Sequence, residues 1–153
     1  MVSVNTKSEM KKRQEQQEKQ IILMQYKKVS KLEFEISKTR WQFVVYDTDE
    51  ALQSYGKKSL QALKAIPTRR RLLITCDAVE RDLDNLYWMM DLINPGLFKT
   101  HEIFRRDFQL PIQKGKRRQA NPKDVELAKK QANILDEVLN RVVLRGTAGS
   151  LLG

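Results

Sequence analysis

The chain has 153 residues, which is long enough for one domain with a buried core or for part of a larger one. Its hydrophobic content of 41% allows such a core, no stretch reaches the ~18 to 20 apolar residues of a membrane span, and the single cysteine, Cys76, excludes an internal disulfide. Lys plus Arg number 29 against 19 acidic residues, and the resulting net charge of +10 favours polyanions, nucleic acid ahead of an anionic membrane; the plain alternative is a solvated basic surface.

Residues 1–20 are almost entirely polar. Lys7, Lys11, Lys12 and Arg13 are not followed by an apolar run, so this is not a secretory signal. "KSEMKKRQEQQEKQ" has helix-forming residues, Ser8 as a cap and only Met10 to bury, which leaves a basic polar arm or a loose helix. "IILMQY", from Ile21 to Tyr26, predicts a short strand. Val29, Leu32, Phe34 and Ile36 are too irregular to assign. In "WQFVVYD", from Trp41 to Asp47, β-branched and aromatic residues run continuously, as in a central strand covered on both faces.

"KKSLQALKA" (Lys57 to Ala65) reads as a helix with Leu60 and Leu63 on one face, ended by Pro67. A strand follows from Arg71 to Thr75, then a helix from Asp82 to Ile93 whose Leu83, Leu86, Tyr87 and Met90 share a face. Asn94-Pro95-Gly96 stops it. "THEIFRRDF" predicts a short helix anchored by Ile103, Phe104 and Phe108, and "PIQKGKRRQA" an exposed basic loop. The last helix is capped by Asn121, with Pro122 at its first position and Asp124 against the dipole. Its stripe of Val125, Ala128, Ala132, Leu135, Leu139 and Val142 suits docking on its own domain or a coiled-coil seam, and Gly146 and Gly149 end it. The order strand, helix, strand, helix and then a helical annex predicts an α/β fold with a parallel sheet.

The wording "WQFVVYDTDEALQSYGKKSLQALKAIPTRRRLLIT" resembles the core of SWI/SNF-type DNA-dependent ATPases, helicase-like enzymes with two RecA-like lobes. There an apolar strand ends in Asp-Glu-Ala-His, and an Arg-Arg-Leu-Leu-Leu-Thr strand leads into Gly-Thr-Pro-Ile-Gln-Asn. "DLDNLYWMMDLINPGLF" is similar to the family's helix ending in Asn-Pro-Gly. "FRRDFQLPIQKGKRRQANPKDVELAKKQANILDEVLNRVVLRGT" is similar to its segment ending in Leu-Arg-Arg-Thr, in the wording of the DNA-repair and recombination branch. The resemblance covers roughly residues 21–150. It implies an incomplete RecA-like lobe over residues 21–98 and a helical protrusion with a basic loop over residues 99–153, after the arm at residues 1–20. It also implies ATP and Mg²⁺ as family ligands, ATP-driven DNA translocation in repair or chromatin remodelling, duplex DNA or chromatin as partner, and a nuclear location.

The departures fall on the catalytic wording. The family's Gly-Lys-Thr phosphate loop, which supplies backbone N–H groups and a lysine to the phosphates, belongs upstream of residue 21 and has no counterpart there. Asp47 stands where the family holds Mg²⁺, but Thr48 replaces the glutamate that orients water and Glu50 replaces the histidine; a slipped reading from Asp49 recovers Asp-Glu-Ala without the histidine. Cys76-Asp77-Ala78-Val79-Glu80-Arg81 stands in place of Gly-Thr-Pro-Ile-Gln-Asn, with two carboxylates that repel phosphate. Arg145-Gly146 keeps only the first arginine of Leu-Arg-Arg-Thr.

For Asp47 the alternatives are a Mg²⁺ ligand and a solvated strand-end carboxylate, and Asp47 with Asp77 forms a weak metal pair only if the strand ends are neighbours. Cys76 is a structural thiol unless a base lies near it, and His101 is the only histidine to serve as one. The best binding candidates are Lys114, Lys116, Arg117 and Arg118, with Arg105 and Arg106 on the preceding helix; Arg69, Arg70 and Arg71 support the sheet end. The expectation is a fragment or degenerate form of such an ATPase lobe that binds DNA through phosphates, without hydrolysing ATP on its own. The other readings are a protein-interaction module docking on an intact ATPase or repair protein through the Val125–Val142 helix and the open sheet edge, and an active ATPase completed by a phosphate loop in trans.

Overall fold

A computed structural model describes residues 1–4, 6–16, 20–48, 56–75 and 82–144. The chain forms two compact units, Met1–Phe98 and Lys99–Gly153. The first unit is mixed α/β with parallel strand pairing, as a partial RecA-like lobe requires; the second is helical among its described residues.

The first unit opens with β1 (Val2–Ser3), α1 (Lys7–Glu15) and β2 (Ile22–Leu23), and β1 pairs parallel to β2 with Val2 opposite Ile22. Thr6, not Ser8, caps α1. Its hydroxyl accepts from the Glu9 N–H while the Glu9 carboxylate accepts from the Thr6 N–H, a reciprocal capping box. The single apolar residue of α1, Met10, is fully buried, which ties this polar helix to the fold.

The predicted strand at Ile21–Tyr26 is only two residues long, and Tyr26 begins α2 (Tyr26–Val29), followed by α3 (Glu33–Lys38). The segment left unassigned from sequence is thus helical. Val29, Leu32 and Ile36, at helical spacing, are its buried apolar residues. Phe34 hid the period, because it faces solvent with the Lys38 ammonium 3.9 Å above its ring.

The central pair is β3 (Val44–Asp47) and β4 (Arg71–Ile74), parallel, with Val45 opposite Leu72 and Asp47 opposite Ile74. Helix α4 (Gly56–Lys64) connects them and packs on α2 and α5 (Leu83–Ile93). Alternation along the strands sends Tyr46 inward, where its hydroxyl donates to the Leu63 carbonyl at 3.0 Å. Phe43, Val45, Leu72 and Ile74 are each about half exposed. The expectation of a strand covered on both faces is corrected: among the described residues helices cover one face only, and a continuous apolar run does not reveal which faces its own chain supplies.

Arg71, at the start of β4, is the main polar tie. Its guanidinium donates to the carbonyls of Lys64, Ile66 and Thr68 at 2.8, 2.9 and 3.1 Å, and to that of Leu92 at 2.8 Å. One side chain so satisfies the C-terminal carbonyls of α4 and α5 and sets a positive charge at the negative ends of both helices. Asp82 caps α5, accepting from the Asp84 N–H at 2.9 Å. After α5, Gly96 takes φ +85°, a left-handed turn suited to glycine.

In the second unit, α6 (His101–Phe104) runs through a π-helical turn (Arg105–Gln109) into α7 (Leu110–Gly115). The wider turn, with the Leu110 N–H bonded to the Arg105 carbonyl, precedes Pro111, which has no N–H to give. Helix α8 (Pro122–Val142) packs back on α7 and on the π-helical turn. Its cap is Asn121, whose side chain accepts from the Asp124 N–H at 2.8 Å. The helix ends at Val142, ahead of the glycines expected to stop it, with the Val143 N–H bonded to the Leu139 carbonyl.

Candidate nucleic-acid interface

The predicted basic loop from Pro111 to Ala120 is shorter in the structure. Lys114 and Gly115 are the last residues of α7, and Lys116 follows as its C-cap, so only Lys116 to Asn121 connect α7 to α8. Gly115 is the contact point of the two helices. A Cβ placed there would lie 2.3 Å from the Ala128 Cβ and 2.7 Å from the Asp124 carbonyl oxygen. Backbones this close hold the α7–α8 junction in one geometry, and the cations of the connection project from it.

The six candidate cations differ in what they touch. Lys114 Nζ lies 3.0 Å from Asp124 Oδ1, the carboxylate that also receives the Asn121 amide at 2.7 Å. Arg106 grips Asp107 in a bidentate pair, at 2.6 and 3.0 Å. These hydrogen bonds hold the Asp107 carboxyl below its ordinary range, the nearby charges of Arg106 and Lys99 adding to the effect, and they raise the Arg106 guanidinium. Arg105, Lys116, Arg117 and Arg118 are exposed and, among the described residues, have no carboxylate partner. Three of these four are consecutive, and no described carboxylate balances their charge. The pairings of Lys114 and Arg106 could not be read from spacing, although Asp107 adjacent to Arg106 was a signal.

Asp47, the candidate Mg²⁺ position, ends β3 exposed, its carbonyl accepting from the Tyr26 hydroxyl at 2.8 Å. Thr48, where the resemblance places the water-orienting glutamate, is buried, and its N–H continues the ladder to the Ile74 carbonyl at 3.0 Å. Among the described residues no three of His, Cys, Asp and Glu gather in a metal-binding group. One carboxylate is too little for Mg²⁺, which takes octahedral oxygen ligands and leans on substrate phosphates to complete them. The described residues therefore do not by themselves build a Mg²⁺–ATP site. Glu50, Cys76, Asp77, Glu80, Arg81 and Arg145 lie outside the described residues.

The interaction surface expected on α8 is largely used within the chain. Ala128, Leu135 and Leu139 are buried, while Val142 at its end is exposed. Among the described residues no helix is long and apolar enough to cross a membrane.

Parallel strands joined by α4, followed by a helical unit that ends in one long helix, are consistent with a segment of a RecA-like lobe. The chain belongs to the SNF2-related domain family, whose model matches residues 1–151. It is 31% identical over 133 residues to the DNA repair and recombination protein RDH54 of Saccharomyces cerevisiae, covering 84% of this chain and 14% of that protein. To the human DNA repair and recombination protein RAD54-like it is 30% identical over 108 residues, and to the chicken protein of that name 29%, in each case over 71% of this chain. The chain thus spans about 14% of the length of the curated relatives it matches.

Proposed function

We propose that this chain is a DNA-binding segment of an SNF2-type ATPase lobe, acting in DNA repair or chromatin remodelling in the nucleus, and that it does not hydrolyse ATP on its own. The observation that carries the binding half is the row Lys116, Arg117 and Arg118. It is exposed, held at a fixed helix junction, and free of carboxylate partners among the described residues. Such cations bind phosphates without reading bases, so the expected ligand is the backbone of duplex DNA, at any sequence. The names of the relatives, DNA repair and recombination proteins, agree with that ligand. The catalytic half rests on Asp47, which joins no metal-binding cluster among the described residues, with buried Thr48 beside it.

The test is fluorescence anisotropy with a labelled duplex, wild type against a variant with Lys116, Arg117 and Arg118 changed to Glu. Binding at low salt that the variant loses supports the reading, and equal affinity of the two refutes it. The ATPase half is tested by phosphate release with saturating DNA, where turnover above a no-protein blank refutes it.

A second reading rests on the open sheet face. Phe43, Val45, Leu72 and Ile74 form an apolar patch on a parallel pair, a surface that suits cover by further polypeptide, whether a remaining part of an ATPase or a separate repair protein. Because Leu135 and Leu139 are buried, charged substitutions in this patch, rather than in α8, separate a lost partner from a lost fold.

A further inference from the structure

The parallel pairing of β3 and β4 brings their N-terminal approaches to the same side, away from Asp47. The two are bonded together, the Val44 N–H donating to the Arg70 carbonyl at 3.0 Å, and the approach to β4 is itself turned by the Arg70 N–H donating to the Thr68 hydroxyl at 3.2 Å. Between them lies an open basin of about 960 Å³ lined by Arg40, Trp41, Thr68, Arg69 and Arg70 among others. Its two remaining cations are already committed. Lys64 pairs with Asp91, and Arg71 donates to four carbonyls.

Arg40, Arg69 and Arg70 are different. All three are exposed, and among the described residues none has an ion pair or a side-chain hydrogen bond. Three unbalanced guanidinium groups around one concavity repel one another unless an anion joins them. Guanidinium groups, unlike ammonium groups, meet phosphate oxygens two at a time. Trp41 adds a second kind of contact. Its indole N–H is fixed on the Ile36 carbonyl at 2.9 Å, so the ring is held in one orientation beside the basin, half-buried. Fixed aromatic surface among cations is the chemistry by which single strands are held, bases on the ring and phosphates on the charges.

We propose that this basin binds single-stranded nucleic acid, with Arg40, Arg69 and Arg70 on successive phosphates and Trp41 stacking a base. It is a site separate from the Lys116–Arg118 row and from the sheet end that carries Asp47. Three phosphate contacts to a single strand give a log–log salt slope of about −2.

The probe is an oligothymidylate, followed through intrinsic tryptophan fluorescence of the full chain. The strand is expected to quench Trp41, with that salt slope. Arg69→Glu with Arg70→Glu is expected to weaken binding tenfold or more at fixed salt, with the circular dichroism spectrum unchanged, since both side chains are exposed. Trp41→Phe is expected to remove the quench. Reversing the charges at Lys116, Arg117 and Arg118 is expected to leave it intact, so the basin and the duplex surface fail independently. Unchanged affinity in the Arg69, Arg70 double variant overturns the proposal. So does a duplex that binds through Arg69 and Arg70 as tightly as the single strand, or inorganic pyrophosphate that alone saturates the quench.

Discussion

The pairings in the helical unit turn into a number. Six cations were candidates for phosphate contact, but Lys114 is neutralised by Asp124 and Arg106 by Asp107. That leaves Arg105, Lys116, Arg117 and Arg118. With a slope of about −0.9 per phosphate on a duplex, four contacts give about −3.6, whereas six would give about −5.4. Between 50 and 200 mM salt the first corresponds to a loss of about 150-fold in affinity, or about 3 kcal/mol, and the second to about 1,800-fold. The assay is anisotropy of a labelled duplex over a salt series. Replacing Lys116, Arg117 and Arg118 by Ala should flatten the slope by about 2.7, and replacing Lys114 and Arg106 by Ala should leave it nearly unchanged. A steeper wild-type slope near −5.4, or a clear flattening in the Lys114, Arg106 variant, would refute the premise that intramolecular pairing decides which cations meet DNA.

Three further predictions concern what holds the site. Arg71→Met strips four carbonyls of a charged donor; since Arg71 is half-buried and water can reach part of what it leaves, the expected loss is about 2–4 kcal/mol, seen as a fall of roughly 10–20 °C in thermal melting. Gly115→Ala drives a methyl group into Ala128 and the Asp124 carbonyl, with an expected loss of about 1–3 kcal/mol, read as faster amide exchange in α7 and the first turns of α8, and Ala128→Gly in the same chain should recover part of it. Tyr46 is held neutral by burial, which pushes its phenol above the ordinary 10.0 despite the opposing charge of Arg71. Its contribution is therefore fully present below pH 10 and is lost as pH rises through the higher folded value, because the unfolded chain releases the proton first. Tyr46→Phe should cost about 1 kcal/mol near neutrality by leaving the Leu63 carbonyl with only the long bond from the Ile66 N–H at 3.4 Å, and should reduce the alkaline decline in stability; Tyr87, also raised by burial, retains a share of it.

Much of this fold was legible where one residue's chemistry settles a local choice. Asn121-Pro122-x-Asp124 starts a helix whatever surrounds it, and the stripe of α5 leaves one face to bury. The β3 and β4 runs announced strands but not their surroundings, since half-exposed Val45 and Leu72 read the same as fully covered residues. Helix α2 was missed because Tyr26 reads as the end of the apolar run from Ile21, and α3 because Phe34 breaks the apolar period and no local rule says that an exposed lysine will cover it. Helix α1 was undervalued for a related reason: its only apolar residue is Met10, and whether one methionine finds a cavity is decided by residues far along the chain.

The candidate sites show the same division more sharply. Charge is additive along a sequence, so +10 and a basic run raise the expectation of a polyanion ligand without knowledge of the fold. Contact is not additive, because a cation beside a carboxylate is already answered. Of the three consecutive arginines at 69–71, one is a framework residue bonded to carbonyls of two helices and the other two stand free at a basin, and nothing in the run distinguishes them. Their place relative to β4 does: Arg71 is the first residue of the strand, on the inward face with Leu73, while Arg69 and Arg70 precede it. The start of β4, rather than charge count, therefore separates the framework arginine from the two that stand exposed before it.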